Sequence, residues 1–104
     1  MAQARLEATT MVSRWRRRRM CVLMGETPAP AALRDVSARG AFVETNARLP
    51  IGRSVELHHP EAGAIAGVVR SVAGDGMAIV FACSERSVAF ALAAIAADMS
   101  RPAA

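Results

Sequence analysis

The chain has 104 residues, of which 53% are hydrophobic and 21% charged, a length and composition that predict one globular domain and exclude an intrinsically disordered chain. Its net charge is +4, and every basic residue is an arginine. Residues 1–19 carry six arginines against Glu7, whereas residues 20–104 carry seven arginines against eight acids. The excess positive charge therefore belongs to one N-terminal segment, which excludes a uniformly basic nucleic-acid-binding protein.

The cysteines and the apolar runs indicate the compartment. Cys21 and Cys83 lie in apolar surroundings without C-x-x-C spacing, which predicts two buried, reduced thiols. The apolar run after the arginines, MCVLMG, has six residues and is too short for a secretory or twin-arginine signal. No stretch approaches the ~20 apolar residues of a membrane span. We therefore expect a cytoplasmic protein with no membrane span.

Residues 1–13 have little apolar face and predict a flexible N-terminal arm. The next part of the chain alternates at period 2 between turn signals, which predicts about six short strands. In chain order they are 20–24, 31–37, 40–45, 53–59, 64–72 and 77–82. Residues 25–30 (GETPAP) are expected to break the chain after the first strand, and AGDG at 73–76 predicts a hairpin with a type I′ turn. Short sequential hairpins favour an antiparallel barrel, because closure removes exposed edges.

The last part of the chain has a helical pattern. Ser84 is a suitable N-cap, and an alanine-rich segment follows it up to residue 100. Large apolar residues recur in this segment at helical spacing and form one stripe: Val88, Leu92, Ile95 and Met99. The stripe is expected to pack against the barrel, with a dimer seam as the alternative. The predicted fold is thus all-β, a six-stranded antiparallel β-barrel with a C-terminal α-helix, followed by a tail at residues 100–104.

Few residues point to catalysis or metal binding. The only histidines, His58 and His59, are adjacent and would point to opposite faces of a strand, so they could not chelate one metal ion. The sequence lacks a phosphate-binding glycine loop, a dinucleotide-binding motif and a paired-carboxylate motif. We therefore expect no enzymatic activity, no cofactor and no metal site.

Two short motifs stand out. Residues 34–40, RDVSARG, contain the pattern D-x-S-x-x-G with Asp35, Ser37 and Gly40, which are residue types that favour turns. The arginine run SRWRRRRM, residues 13–20, contains a single R-x-x-x-R pair, Arg14 and Arg18. An R-x-x-x-R pair before the first strand, followed by D-x-S-x-x-G between the next two, resembles the PilZ domain. The resemblance covers roughly residues 14–96 and implies a barrel domain over residues 14–99.

The PilZ family contains receptors for the bacterial second messenger cyclic di-GMP, so the resemblance implies a ligand site. Arg14 and Arg18 would contact phosphate or guanine, since a guanidinium can fork to either. Asp35 would accept hydrogen bonds from guanine N1–H and N2–H. Ser37 would offer a hydroxyl group, and Gly40 would let the backbone turn close to the ligand. Four further residues are candidate contacts: Trp15, which could stack on a guanine or pack on the barrel, Arg17, Arg19 and Arg39.

Three functions remain open at the level of sequence. The first is a cyclic di-GMP receptor that changes conformation and relays the signal to an unidentified downstream protein, as a monomer or a weak homodimer. The second is a PilZ-like adaptor that has lost nucleotide binding and acts through protein–protein contacts. The third is a basic arm that binds nucleic acid or an anionic membrane, for which affinity would fall steeply with salt.

Overall fold

The computed structural model describes residues 19–99. This range contains six strands, β1 (Met20–Met24), β2 (Pro28–Ser37), β3 (Gly40–Glu44), β4 (Ser54–His59), β5 (Gly63–Val72) and β6 (Gly76–Phe81), followed by the helix α1 (Glu85–Met99). Every neighbouring pair is antiparallel, and the strands close into a barrel in the order β1-β2-β3-β6-β5-β4. The predicted six-stranded barrel with a C-terminal helix is confirmed. The predicted arm at 1–13 and tail at 100–104 lie outside these residues.

The barrel interior is filled by aliphatic and aromatic side chains from the inward-facing positions of each strand. Alternation at period 2 puts them on one face. Removing a Val, Leu, Ile, Phe or Met side chain from water contributes about 1.5–3 kcal/mol. The buried residues of this cluster are Cys21, Leu23, Ala31, Ala41, Val43, Val55, Leu57, Ile65, Val69, Met77, Ile79, Phe81 and, from the helix, Phe90.

The expectation that GETPAP separates the strands is wrong in its second half. Pro28 and Pro30 belong to β2, where they pair with Met24 and Val22 of β1. Proline lacks an N–H donor and is tolerated where one side of a strand has no partner. Pairing of β2 with β3 begins only at Ala32, so this part of β2 satisfies that condition.

The AGDG hairpin is present, but its predicted turn type is wrong. Val72 pairs with Met77 across the hairpin, and the Ala73 N–H donates to the Gly76 carbonyl at 2.8 Å. A type I′ turn needs positive φ at both central residues. Gly74, a central residue of the turn that this bond closes, has no positive φ, and neither has Gly76; among the glycines of residues 19–99 only Gly52 and Gly63 have one. A Cβ on Gly76 would instead collide with the Val43 carbonyl oxygen on the neighbouring strand β3.

Helix α1 begins where the sequence predicts it, but with a different face on the barrel. The Ser87 N–H donates to Ser84 Oγ at 3.3 Å, which confirms Ser84 as the N-cap. The predicted packing of the apolar stripe on the barrel is wrong, because the buried side chains of α1 belong to Ser87, Phe90, Ala91 and Ala94. The gap between helix and barrel admits one large ring and otherwise small side chains.

Phe90 is the large side chain in that gap. Its ring makes edge contacts with Phe81, at 5.7 Å between centroids, and with His59, at 6.1 Å. The Nδ1 atom of His59 accepts hydrogen bonds from the N–H groups of Glu61 and Ala62, both at 3.0 Å. Burial lowers the pKa of His59 and favours its neutral form. His58 lies on the opposite face of the strand and bonds Glu56 at 2.9 Å, so the predicted opposition of the two histidines is confirmed.

The two cysteines differ in environment. Cys21 is buried, and burial raises the pKa of its thiol to about 11, which leaves little reactive thiolate at neutral pH. Cys83 is exposed, so the prediction of two buried thiols is wrong for that residue. Cys83 follows β6 just before the cap of α1, where the chain leaves the sheet. Within residues 19–99, no helix has the length and apolarity to cross a membrane.

The close approach of β6 to β3 predicts a large cost for a small substitution. In Gly76→Ala the new methyl group would meet the Val43 carbonyl, and forcing the two strands apart should destabilise the fold by about 2 kcal/mol or more. Thermal unfolding should show a decrease in Tm of about 8 °C or more. Gly74→Ala is the matched control, because a Cβ there meets no atom within 4 Å. An equal Tm for both variants would contradict the close approach.

Candidate functional site

A β-bulge in β2 decides which residues of the D-x-S-x-x-G motif face outward. Leu33 pairs with Val43 of β3, but the next pair is Asp35 with Phe42, so Arg34 is an extra residue in the ladder. The extra residue reverses the alternation. Val36 thus packs against the core, while Asp35 and Ser37 are exposed on the outer wall.

The outward-facing motif residues line a surface cavity of about 510 Å³. The cavity is a shallow, open depression that spans four adjacent strands, β2, β3, β6 and β5. Of the predicted site residues, the structure brings together Asp35, Ser37, Arg39 and Gly40. The remaining lining residues are Val36, Ala41, Phe42, Arg70, Ala78, Ile79 and Val80.

Asp35 is an exposed residue of the strand rather than a turn residue. Its side chain is exposed and has no hydrogen-bond or ion-pair partner among residues 19–99. It also lies within β2, two residues before the turn. The alternative that Asp35 serves only the turn has no contact to support it in this part of the chain.

Ser37 and Gly40 serve the hairpin directly. Ser37 Oγ accepts a hydrogen bond from the Arg39 N–H at 3.1 Å, which holds the two-residue turn between β2 and β3. Gly40 pairs with Ser37 across that turn and has no positive φ. A Cβ on Gly40 would collide with the Ile79 carbonyl of β6. Glycine at this position is therefore required by the closeness of a neighbouring strand, rather than by the turn conformation or by a ligand alone.

The arginines of the barrel and helix divide into paired and unpaired groups. Five of them bind protein groups within residues 19–99. These are Arg19, Arg34, Arg48, Arg53 and Arg86, which bind carboxylates, backbone carbonyls or both. Arg39 and Arg70 have no side-chain partner in the same range, and both line the cavity. The cavity therefore holds the two guanidinium groups that are available to a ligand in this part of the chain.

Arg70 is a residue that the sequence analysis missed. It lies at a second bulge, in β5, where Val69 pairs with Ile79 of β6 and the next pair is Ser71 with Ala78. Its side chain is exposed, on the far side of the cavity from β2. The available signal was that Arg70 is the only charged residue in the ten residues of β5.

Arg34 connects the cavity to the neighbouring hairpin. Its Nη1 atom donates to Asp75 at 2.9 Å and to Glu44 at 3.0 Å, while the guanidinium lies 4.1 Å from the centroid of the Phe42 ring. Arg34 thus fixes the ring that lines the cavity. Its hydrogen bond lowers the pKa of Asp75, so this contact is lost as the pH falls through that pKa.

Of the arginine run, the structure describes only the last arginine, Arg19, and both residues of the R-x-x-x-R pair lie outside the described residues. Arg14, Trp15, Arg17 and Arg18 lie outside residues 19–99. The side chain of Arg19 does not line the cavity, because its Nη2 donates to the Ala97 carbonyl of α1 at 3.0 Å and its Nε lies 3.5 Å from Glu61. The Arg19 carbonyl accepts the Leu33 N–H at 2.9 Å. The chain therefore enters the barrel beside β2, two residues from Asp35.

A second cavity of about 510 Å³ has no basic residue in its lining. It lies on the outer wall beyond Glu44 and is lined by Met20, Ala29, Pro30, Ala32, Glu44, Thr45, Asn46, Ala47 and Asp75. Its two charged side chains, Glu44 and Asp75, are both paired with Arg34, so the lining offers no unpaired cation to an anionic ligand. Within residues 19–99, no three His, Cys, Asp or Glu side chains are grouped as metal ligands would be.

No family model, no curated protein and no solved structure matches this chain.

Proposed function

We propose that the cavity lined by Asp35, Arg39 and Arg70 binds cyclic di-GMP and that the protein is a receptor for it. The observation that carries the proposal is the combination of charges: two arginines and one carboxylate, none with a side-chain partner among residues 19–99, line the same surface cavity. Phosphate alone does not account for the carboxylate, which would repel it. A ligand with anionic groups and with a base edge rich in donors accounts for all three side chains.

Each side chain has a matching group on the ligand. Arg39 and Arg70 can fork to phosphate oxygens or to guanine O6 and N7. Asp35 can accept the paired N1–H and N2–H donors of guanine, an arrangement that adenine does not offer. Phe42, already held on one side by Arg34, presents an aromatic ring at the same cavity.

We propose that the arginine motif reaches this cavity. Arg18 is joined directly to Arg19, which is hydrogen-bonded to β2 two residues from Asp35. Arg14 lies five residues before Arg19, and a chain of that length spans at most about 18 Å. In the proposed complex Arg14 and Arg18 close over the bound nucleotide, with Trp15 and Arg17 beside them.

The proposed receptor is cytoplasmic and acts without catalysis. Binding neutralises the arginine-rich segment and fixes it against the barrel, since like charges placed this closely repel until an anion is present. The changed surface is then available to a downstream protein. The resemblance to the PilZ domain supports the proposal that this change in surface relays the signal, as does the short distance in sequence between the arginine motif and the barrel.

A second candidate function is that of a PilZ-like adaptor without a nucleotide. The observation that favours it is the exposed apolar face of α1, where Leu92 is 63% exposed and Met99 78%. Titration with cyclic di-GMP distinguishes the two functions, because an adaptor would not bind cyclic di-GMP at all.

The unpaired arginines give the first test of the receptor. Arg70→Ala should raise the Kd for cyclic di-GMP about tenfold or more in calorimetric titration, since a hydrogen bond to a charged group contributes about 1.5–3 kcal/mol. Arg53→Ala is the matched control, because Arg53 pairs with Glu26 at 3.6 Å and does not line the cavity. Its Kd should change less than twofold. Equal losses in both variants, with a steep dependence on salt, would indicate a nonspecific polyanion site instead.

Asp35 gives the second test, which concerns the base. Asp35→Ala should weaken cyclic di-GMP binding by about 1–3 kcal/mol and reduce the preference for cyclic di-GMP over cyclic di-AMP. The Tm should be unchanged, because Asp35 has no side-chain partner within residues 19–99. Asp98→Ala, an exposed carboxylate on α1, is the control for lost negative charge. Tighter binding after removal of Asp35 would show that the cavity recognises charge and not guanine.

A further inference from the structure

The outer face of α1 is apolar and is not covered by any part of residues 19–99. We call it the outer stripe and define it by Val88, Leu92, Ile95 and Met99. These side chains are 42%, 63%, 41% and 78% exposed, respectively. The opposite face, with Phe90, is buried against the barrel.

A helix with apolar residues on both faces is expected to be buried on both faces. Single exposed apolar residues are normal on a protein surface, but the outer stripe is continuous over three turns. Ala89 and Ala96, also exposed, lie beside it. Between Arg86 and Asp98 the helix has no charged residue, so nothing in the sequence keeps this face in water.

We propose that the outer stripe is the interface of a homodimer, in which α1 packs against α1 of a second copy of the chain. The spacing of the four residues is four, three and four, the spacing of a seam between two packed helices. The neighbouring alanines allow the two backbones to approach closely.

The order of the residues favours an antiparallel pair. The outer stripe is symmetric about the midpoint between Ala93 and Ala94. A two-fold axis at this point places Leu92 opposite the partner's Ile95 and Val88 opposite the partner's Met99. The interface is therefore self-complementary, and association stops at two copies because both stripes are then covered. In an antiparallel pair, the positive end of each helix dipole lies beside the negative end of the other, which is favourable.

The area of the stripe sets the strength of the dimer. Its four side chains expose on the order of 300–400 Å² of apolar surface per copy. Two copies would thus bury about 600–800 Å², below the ~1,200 Å² of a stable specific interface. The dimer is accordingly expected to be weak.

Sedimentation velocity of the full chain tests the association. Between about 10 and 500 µM, the weight-average mass should rise from near the monomer value of 11.0 kDa towards twice that value. Leu92→Glu should hold the mass at the monomer value throughout. Ile51→Glu is the matched control, because Ile51 is 69% exposed but lies outside α1, and it should behave as the wild type. Equal Tm values will show that both variants fold.

Two results would overturn the proposal. The first is a wild-type protein that remains monomeric up to 500 µM, which would mean that something other than a second copy covers the stripe. The second is self-association that Ile51→Glu abolishes and Leu92→Glu does not.

Cross-linking tests the orientation in a Cys83→Ser background, where the remaining Cys21 is buried. Antiparallel packing places the two copies of residue 95 near the axis, whereas the two copies of residue 85 are about 25 Å apart along the helices. A bismaleimide with a span of about 8 Å should therefore join Ile95→Cys chains but not Glu85→Cys chains. Efficient joining of Glu85→Cys and not of Ile95→Cys would exclude the antiparallel pair.

Discussion

The extra residue in β2 is the constraint on which the proposed site depends. Without Arg34, the alternation along β2 would turn Asp35 and Ser37 into the barrel, where an unpaired carboxylate would be costly. With it, both face outward and the partly buried Val36 packs against the core. Arg34 also bonds Asp75 and Glu44 and lies over Phe42, which links the bulge to β3 and to the β5–β6 hairpin. The same local irregularity thus supports the fold and exposes the motif.

Charge separates the site from the rest of the surface. Most arginines in residues 19–99 are neutralised by carboxylates or held by carbonyls, and their positive charge is used within the protein. Arg39, on the turn after β2, and Arg70, on β5, have no such partners within this range and line one cavity together with Asp35 of β2. An unspecific basic surface would not need the acid. The arrangement therefore favours a ligand that carries both negative charge and hydrogen-bond donors.

The sequence predicted the strands well because each strand buries one face, and burial of one face produces an alternation of apolar and polar residues at period 2. It predicted the start of α1 because Ser84 caps it. It could not predict which face of α1 is buried, since Val88 and Leu92 are as apolar as Phe90 and the choice depends on the width of the gap above the barrel. Neither bulge is visible as a pattern, so the outward turn of Asp35 and the contribution of Arg70 could not be derived. For Gly40 and Gly76 the sequence indicated turns, whereas the close approach of neighbouring strands explains both.

The central claim is that the cavity beside the D-x-S-x-x-G motif binds cyclic di-GMP, and amide chemical shifts of the ¹⁵N-labelled full chain test it most directly. Titration with cyclic di-GMP is predicted to shift the amides of Asp35, Arg39, Gly40 and Arg70 most strongly. The amides of Asn46 and Ala47, at the second cavity, should move little. The absence of shifts at saturating nucleotide, or shifts confined to the second cavity or to α1, would contradict the account.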